Sequence, residues 1–394
     1  MAGTRIIRAT RLFVLLTGGI LAGMVPLGIL PSLTQMADQF SAQGNGTLIA
    51  QNVITIVAPT MALGAPLIGW LTEVFGKRPV FLMSSLFFGL AGAAGAIAPD
   101  LWTLLISRIV LGLAAAGVTT MTIAYIGDYY PGEQRDKLIG WYAMIGSGGS
   151  FFTLLAAGRL ADIGGWRAPF LLYLVGLLIM ALAIPTLVDA KDEKATTTAR
   201  AEDGSIRDAF GIYALILVLS IVMYTVTIQG PFMLKAAGIV KPSLQSNILM
   251  MTTVGAVLGS YIFAFVRPKM GFLGVLALVW AAFGLSIVGF ALTADVVALG
   301  FLSGLSGFAA GLMQPLTQSA VLNVVPQQAA ARVIGPAVGI HFLGQFLHPF
   351  AFLPLHTALG GQAAFLWTGA AALVASGATI LWRLRAATRR AALS

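Results

Sequence analysis

Cysteine is absent from this chain of 394 residues. That excludes disulfides, thiolate metal sites and a cysteine nucleophile. Charge is scarce as well: Asp, Glu, Lys and Arg make up 9% of the chain, against about 25% in soluble proteins. No sequence of the form G-x-x-x-x-G-K-[ST] occurs, so no ATP-binding loop is indicated. What fills the chain is apolar, at 58%. No soluble core of this size buries so much apolar surface. Runs of about 20 apolar residues are bilayer spans. Each has to be a helix, because hydrocarbon offers no partner to open backbone groups.

Twelve spans are expected, near 12–34, 48–71, 79–97, 102–127, 138–158, 168–188, 208–233, 246–266, 271–292, 297–324, 333–355 and 364–384. The first follows Arg5, Arg8 and Arg11 and is longer than the apolar core of a cleaved signal, so it is read as retained. Asp189 to Arg207 is the one long polar stretch and reads as a flexible linker. The expected domains are therefore residues 1–188, a linker at 189–207, and 208–394.

The net charge of +9 sits at span ends and reports orientation rather than nucleic-acid binding. With the N-terminus inside, eighteen Lys and Arg residues fall on the cytoplasmic side. Only Arg159, Arg167, Lys235 and Lys241 fall on the other. Both termini and the linker are therefore expected on the cytoplasmic side of a cell membrane, here a bacterial inner membrane.

The two halves repeat each other. Pro131, Lys137, Ile139 and Gly140 follow the fourth span in the same register as Pro326, Arg332, Ile334 and Gly335 after the tenth. Gly69 stands eight residues before Lys77, and Gly259 eight before Arg267. A 6+6 repeat about a linker is a transporter layout. The expected fold class is thus all-α, with twelve transmembrane helices in two pseudo-symmetric six-helix bundles.

The loop after span two reads Gly69-x-Leu71-x-Glu73-x-x-Gly76-Lys77-Arg78. It resembles the G-x-L-a-D-r-x-G-r-k pattern of the major facilitator superfamily, with Glu for Asp and Val74 for a base. Arg108-x-x-x-Gly112 in span four and Gly165-Trp-Arg-Ala-Pro-Phe170 before span six are similar to two further patterns of that family. The antiporter pattern of span five is incomplete: Thr153 to Gly158 has no proline, while Gly146, Gly148 and Gly149 keep small residues nearby. The resemblance points to the twelve-helix drug and metabolite efflux branch. It implies a latch in which Gly69, Glu73, Gly76, Lys77, Arg78 and Asp128 stabilise an outward-facing state. Glycine is expected there for close helix crossing, Glu73 as an acceptor for helix-end amides, and Lys77 or Arg78 as a partner for Asp128.

Arg108 is the costliest residue, since a charge within a span costs roughly 2.5–3.5 kcal/mol. It either binds substrate oxygens or is held by carbonyls and water. It heads a small, polar face that includes Thr119. In span eleven, His341, Gln345 and His348 share one stripe. They either line a cavity, with a histidine carrying the coupling proton, or bridge helices. A metal is disfavoured because no carboxylate or cysteine joins them, and no cofactor is expected. Tyr125, Tyr142, Tyr224, Gln229, Asn247, Gln314 and Gln318 complete the candidate substrate and proton residues. Gln314 and Gln318 share a face with Gly307 and Gly311, a pattern that close helix packing also produces.

The expectation is a secondary active transporter, monomeric in the bilayer, that exports small amphipathic compounds against protons. The alternatives are a uniporter or importer of an organic anion or lipid-related substrate, and a non-transporting membrane sensor. An enzyme is not expected, since no acid, base and nucleophile cluster together.

Overall fold

The computed structural model describes residues 2–130, 132–188, 210–323 and 330–391. The expected linker and Pro326 lie outside these. The chain divides into two compact units, Met1–Thr198 and Ala199–Ser394.

Among the described residues, nine helical stretches are long and apolar enough to cross a membrane. Two of these, Lys137–Ala183 at 47 residues and Pro242–Leu292 at 51, are about twice one crossing. Each is interrupted by a glycine at positive φ, Gly165 (65°) and Gly271 (68°), a conformation that other residues avoid. Dividing both and adding the 18-residue helix Lys77–Ala94 gives twelve spans. They are α1 (Ala2–Leu27), α2 (Gly46–Phe75), α3 (Lys77–Ala94), α4 (Leu101–Tyr129), α5 (Gly132–Gly164) and α6 (165–183) in the N-terminal unit. The C-terminal unit holds α7 (Phe210–Ala236), α8 (242–270), α9 (272–292), α10 (Val296–Asn323), α11 (Ala330–Leu359) and α12 (Gly361–Ala391).

Span starts are capped by side chains. Asn45 Oδ1 accepts from Leu48 N (3.0 Å), Asp100 Oδ1 from Thr103 N (2.8 Å) and Asp295 Oδ2 from Ala298 N (2.8 Å). These bonds satisfy amides that a helix start leaves open. Two spans expected to be continuous are broken at proline. α1 stops at Leu27 and restarts through a 3₁₀ turn, Leu30–Ser32, that contains Pro31. α7 widens to a π turn at Thr225–Gln229, directly before Pro231, which has no amide to return to the preceding turn.

The repeat seen in sequence recurs in packing. In the N-terminal unit α1 packs on α5, α2 on α4 and α3 on α6; in the C-terminal unit α7 packs on α11, α8 on α10 and α9 on α12. Glycine sets the closest approaches, as small residues do where lipid supplies no hydrophobic drive. A Cβ at Gly19 would lie 2.3 Å from Tyr142 O, one at Gly255 1.9 Å from Gly304 O, and one at Gly307 1.8 Å from Thr252 O.

Candidate functional site

The charged loop closes the α2–α3 turn. Gly76 adopts φ 85°, so its glycine serves the turn rather than a helix crossing. Gly69 has nothing within 4 Å of a would-be Cβ. The expected close crossing at Gly69 is therefore corrected: within the N-terminal unit its face is open. Lys77 Nζ donates to both Asp128 oxygens, at 2.8 and 2.7 Å. Arg78 does not share that carboxylate; its Nη2 donates to Ile184 O at 2.7 Å. Glu73 is exposed and makes no hydrogen bond or ion pair among the described residues.

The same end of the unit gathers further groups on the tail of α6. Arg11 Nε donates to Thr186 O (2.9 Å), and its guanidinium lies 4.2 Å over the Tyr129 ring. Tyr129 Oη donates to Val188 O (2.5 Å) and accepts from Val188 N (2.9 Å). Side chains of α1, α3 and α4 thus fasten the segment that leads into the linker. Sequence reading missed Tyr129, though its position four residues after Tyr125 puts both on one face, and the two rings stack at 5.6 Å.

Arg108 is fully buried. Its Nη2 donates to Gly92 O (2.6 Å) and Ala91 O (3.1 Å) at the end of α3. The guanidinium lies 4.7 Å from the Phe170 ring and 5.2 Å from that of Tyr173, both on α6. Gly92 and Gly95 make room for those rings, since a Cβ would come within 2.3 Å of Tyr173 and 1.9 Å of Phe170. Tyr173 Oη in turn donates to Met24 O and Val25 O of α1, at 3.2 Å each. Of the two expectations for Arg108, these contacts match holding by backbone carbonyls. The guanidinium is buried against carbonyls of α3 and rings of α6, Tyr173 extends the contact to α1, and Arg108 Nη1 is left without a hydrogen-bond partner among the described residues.

In the C-terminal unit, a cavity of about 290 Å³ is lined by Tyr224 on α7, Gln314, Thr317 and Gln318 on α10, and His341 and Phe342 on α11. Four residues singled out from sequence meet here: Tyr224, Gln314, Gln318 and His341. His341 spans to α7, with Nδ1 2.9 Å from Ser220 Oγ and Nε2 3.3 Å from Tyr224 Oη. Ser220 and Tyr224 are one turn apart, so a single face of α7 serves both ring nitrogens. That spacing was the available signal for Ser220, which sequence reading missed.

Comparison with known proteins turns this geometry into a family assignment. The Major Facilitator Superfamily pattern matches residues 12–349. The chain belongs to the Major Facilitator Superfamily. Membership of that superfamily puts the chain with multi-pass membrane transporters and not with enzymes. Its relatives include the multidrug resistance protein MdtG of Escherichia fergusonii, 25% identical over 88% of this chain and 87% of that protein. The puromycin resistance protein pur8 of Streptomyces alboniger is 38% identical over 28% of this chain and 23% of that protein. The D-xylose transporter of Levilactobacillus brevis is 28% identical over 29% of this chain and 25% of that protein. The chain thus spans about a quarter of the length of the last two. Among solved structures, a D-xylose–proton symporter superposes with a TM-score of 0.74 at 17% identity, covering 94% of this chain and 96% of that one. A bacterial homolog of the human lysosomal transporter Spinster gives 0.76 at 16% identity, covering 96% and 97%. These two show the fold alone.

The other candidate residues of this superfamily member do not join the cavity. Tyr125 is buried against Phe81 and Tyr129. Thr119 donates to Ala115 O and Ala116 O of its own helix. Tyr142 is half-buried on α5. Gln229 is buried in the π turn. Asn247 lines a separate apolar groove between α8 and α10. His348 Nδ1 bonds Ile221 O at 2.8 Å, an interhelical contact with α7, and Gln345 is buried beside it on α11.

Proposed function

We propose that this chain is a secondary active transporter that works by alternating access and exports small amphipathic or hydrophobic compounds in exchange for protons. The observation that carries this reading is the α7–α10–α11 cavity, where His341 is the ionisable group among neutral hydrogen-bonding and apolar walls. An amphipathic ligand would place a polar group on Gln314 or Gln318 and its apolar part against Ile216, Met313 and Phe342, the mix common to small-molecule sites. Protonation of His341 would make both ring nitrogens donors, so the hydroxyl of Ser220 or Tyr224 that donates to the neutral ring must turn to accept, which couples charge to the α7–α11 contact. In this reading Arg108 belongs to the scaffold of the N-terminal unit. Similarity to MdtG over most of both chains supports efflux. The charged α2–α3 turn acts as the latch between states, from the basic, cytoplasmic side of an inner membrane, and the monomer is the working unit.

A second reading is proton symport of an uncharged hydroxylated compound. It is favoured by the similarity to a D-xylose transporter and by the amide and hydroxyl groups of the cavity wall. One experiment separates the two. Purified protein in proteoliposomes is given a pH gradient of either sign, and fluorescent cationic dyes and labelled sugars are followed. Dye movement against the proton flux supports efflux; sugar movement with it supports symport; movement of neither under any gradient removes both.

A further inference from the structure

The two α2–α3-type turns differ in how their bases are neutralised. In the N-terminal unit Lys77 is paired with Asp128, and Arg78 donates to Ile184 O. In the C-terminal unit the register that matches Lys77 to Arg267 and Pro131 to Pro326 puts the neutral Asn323 where Asp128 stands. Asp295, at the far end of α10, is the sole acidic residue among the described residues of that unit. Arg267 and Lys269 flank the α8–α9 turn, and Arg383 and Arg385 lie in the last turns of α12. None of these four cations has a hydrogen bond or ion pair among the described residues.

Two of them reach the start of α9, and Lys269 and Arg385 stand two residues from these in sequence. A Cβ at Gly274, just past the turn, would lie 2.8 Å from Arg383 Nη1. The Arg267 guanidinium lies 6.0 Å from the Phe272 ring on the same turn. Near them in sequence the spans carry exposed apolar groups: Phe265 at the end of α8, and Leu381, Trp382 (67% exposed) and Leu384 on α12. Arginine and lysine above a tryptophan and aliphatic wall match a phosphate head above its acyl chains.

We propose that Arg267, Lys269, Arg383 and Arg385 form a binding site for the phosphodiester head of an anionic phospholipid, in the leaflet at the basic end of the spans. The head group supplies the counter-charge that Asp128 supplies in the other half. The site is separate from the transport cavity on α7, α10 and α11.

The test uses the full chain in detergent micelles with added phosphatidylglycerol or phosphatidylcholine, bound lipids being counted by native mass spectrometry. Wild type is expected to retain phosphatidylglycerol in preference to phosphatidylcholine. The R267Q/K269Q/R383Q/R385Q variant is expected to lose that preference by about tenfold or more, since basic residues supply the attraction to an anionic head. The charge-keeping R267K/R383K/R385K variant should retain it, which separates loss of charge from loss of fold. Equal binding of both lipids by wild type, or unchanged preference in the neutralised variant, overturns the proposal. Displacement of bound lipid by millimolar glycerol phosphate would make the ligand a soluble phosphate and overturns the lipid assignment.

Discussion

Lys77 Nζ sits 2.7 Å from Asp128 Oδ2, so a base of the α2–α3 turn is tied to the end of α4. The pair is part-exposed, 38% on the lysine and 23% on the aspartate, and such pairs contribute under about 1 kcal/mol to stability. Its role is therefore expected in the transport cycle. Asp128→Asn should leave the melting temperature nearly unchanged and lower transport several-fold. The exchanged pair Lys77→Asp with Asp128→Lys should recover part of it. Glu73→Ala, which removes a carboxylate without a partner inside its own unit, should abolish transport while the protein still inserts. Wild-type flux in both single variants would remove the latch.

Arg108 behaves as a structural cation. Arg108→Ala should lower stability by about 3–5 kcal/mol, from two charge-assisted hydrogen bonds and the cavity left between Phe170 and Tyr173. Arg108→Lys should recover little, because an ammonium lacks the flat fork that meets two carbonyls while lying beside rings. Thermal unfolding in detergent measures both. An undisturbed melt with lost transport would restore a substrate role.

His341 and His348 should separate cleanly. His341→Gln keeps an amide for Ser220 and Tyr224 but cannot titrate. Movement driven by a pH gradient should vanish, while counterflow exchange at equal pH persists. His348→Gln should keep the pH dependence of the wild type, since its ring bonds a backbone carbonyl of α7. A gradient-driven rate that survives in His341→Gln would place the coupling proton elsewhere.

The glycine crossing of α8 and α10 predicts a position-dependent cost. Gly307→Ala drives a methyl into the Thr252 carbonyl and should destabilise by about 1–3 kcal/mol, as overpacking does. Gly300→Ala, whose nearest neighbour would be Met251 Cγ at 3.9 Å, should be tolerated. Unfolding midpoints of the two variants in the same detergent give the comparison; equal midpoints would contradict the packing.

Much of the architecture was readable in the residues, because the signals are one-dimensional. Apolar run length counts the spans, and repeated Gly, Pro and basic registers reveal two halves. The Lys77–Asp128 pair was also legible, since charges are so few that each has few partners. Arg108 shows the limit. Its burial cost is plain in sequence, yet its carbonyl partners Ala91 and Gly92 have no side-chain signature. Nothing short of the packing of α3, α4 and α6 could choose between substrate and scaffold.

The residues alone thus determined a twelve-span helical chain of two related halves, because the bilayer forces every apolar run of sufficient length into a helix. Tertiary structure decided which polar groups face a cavity. Helical stripes give direction around one axis but not the neighbour met there, so Gln314, Gln318, Tyr224 and His341 converge while Tyr125 is buried against Phe81 and Tyr129.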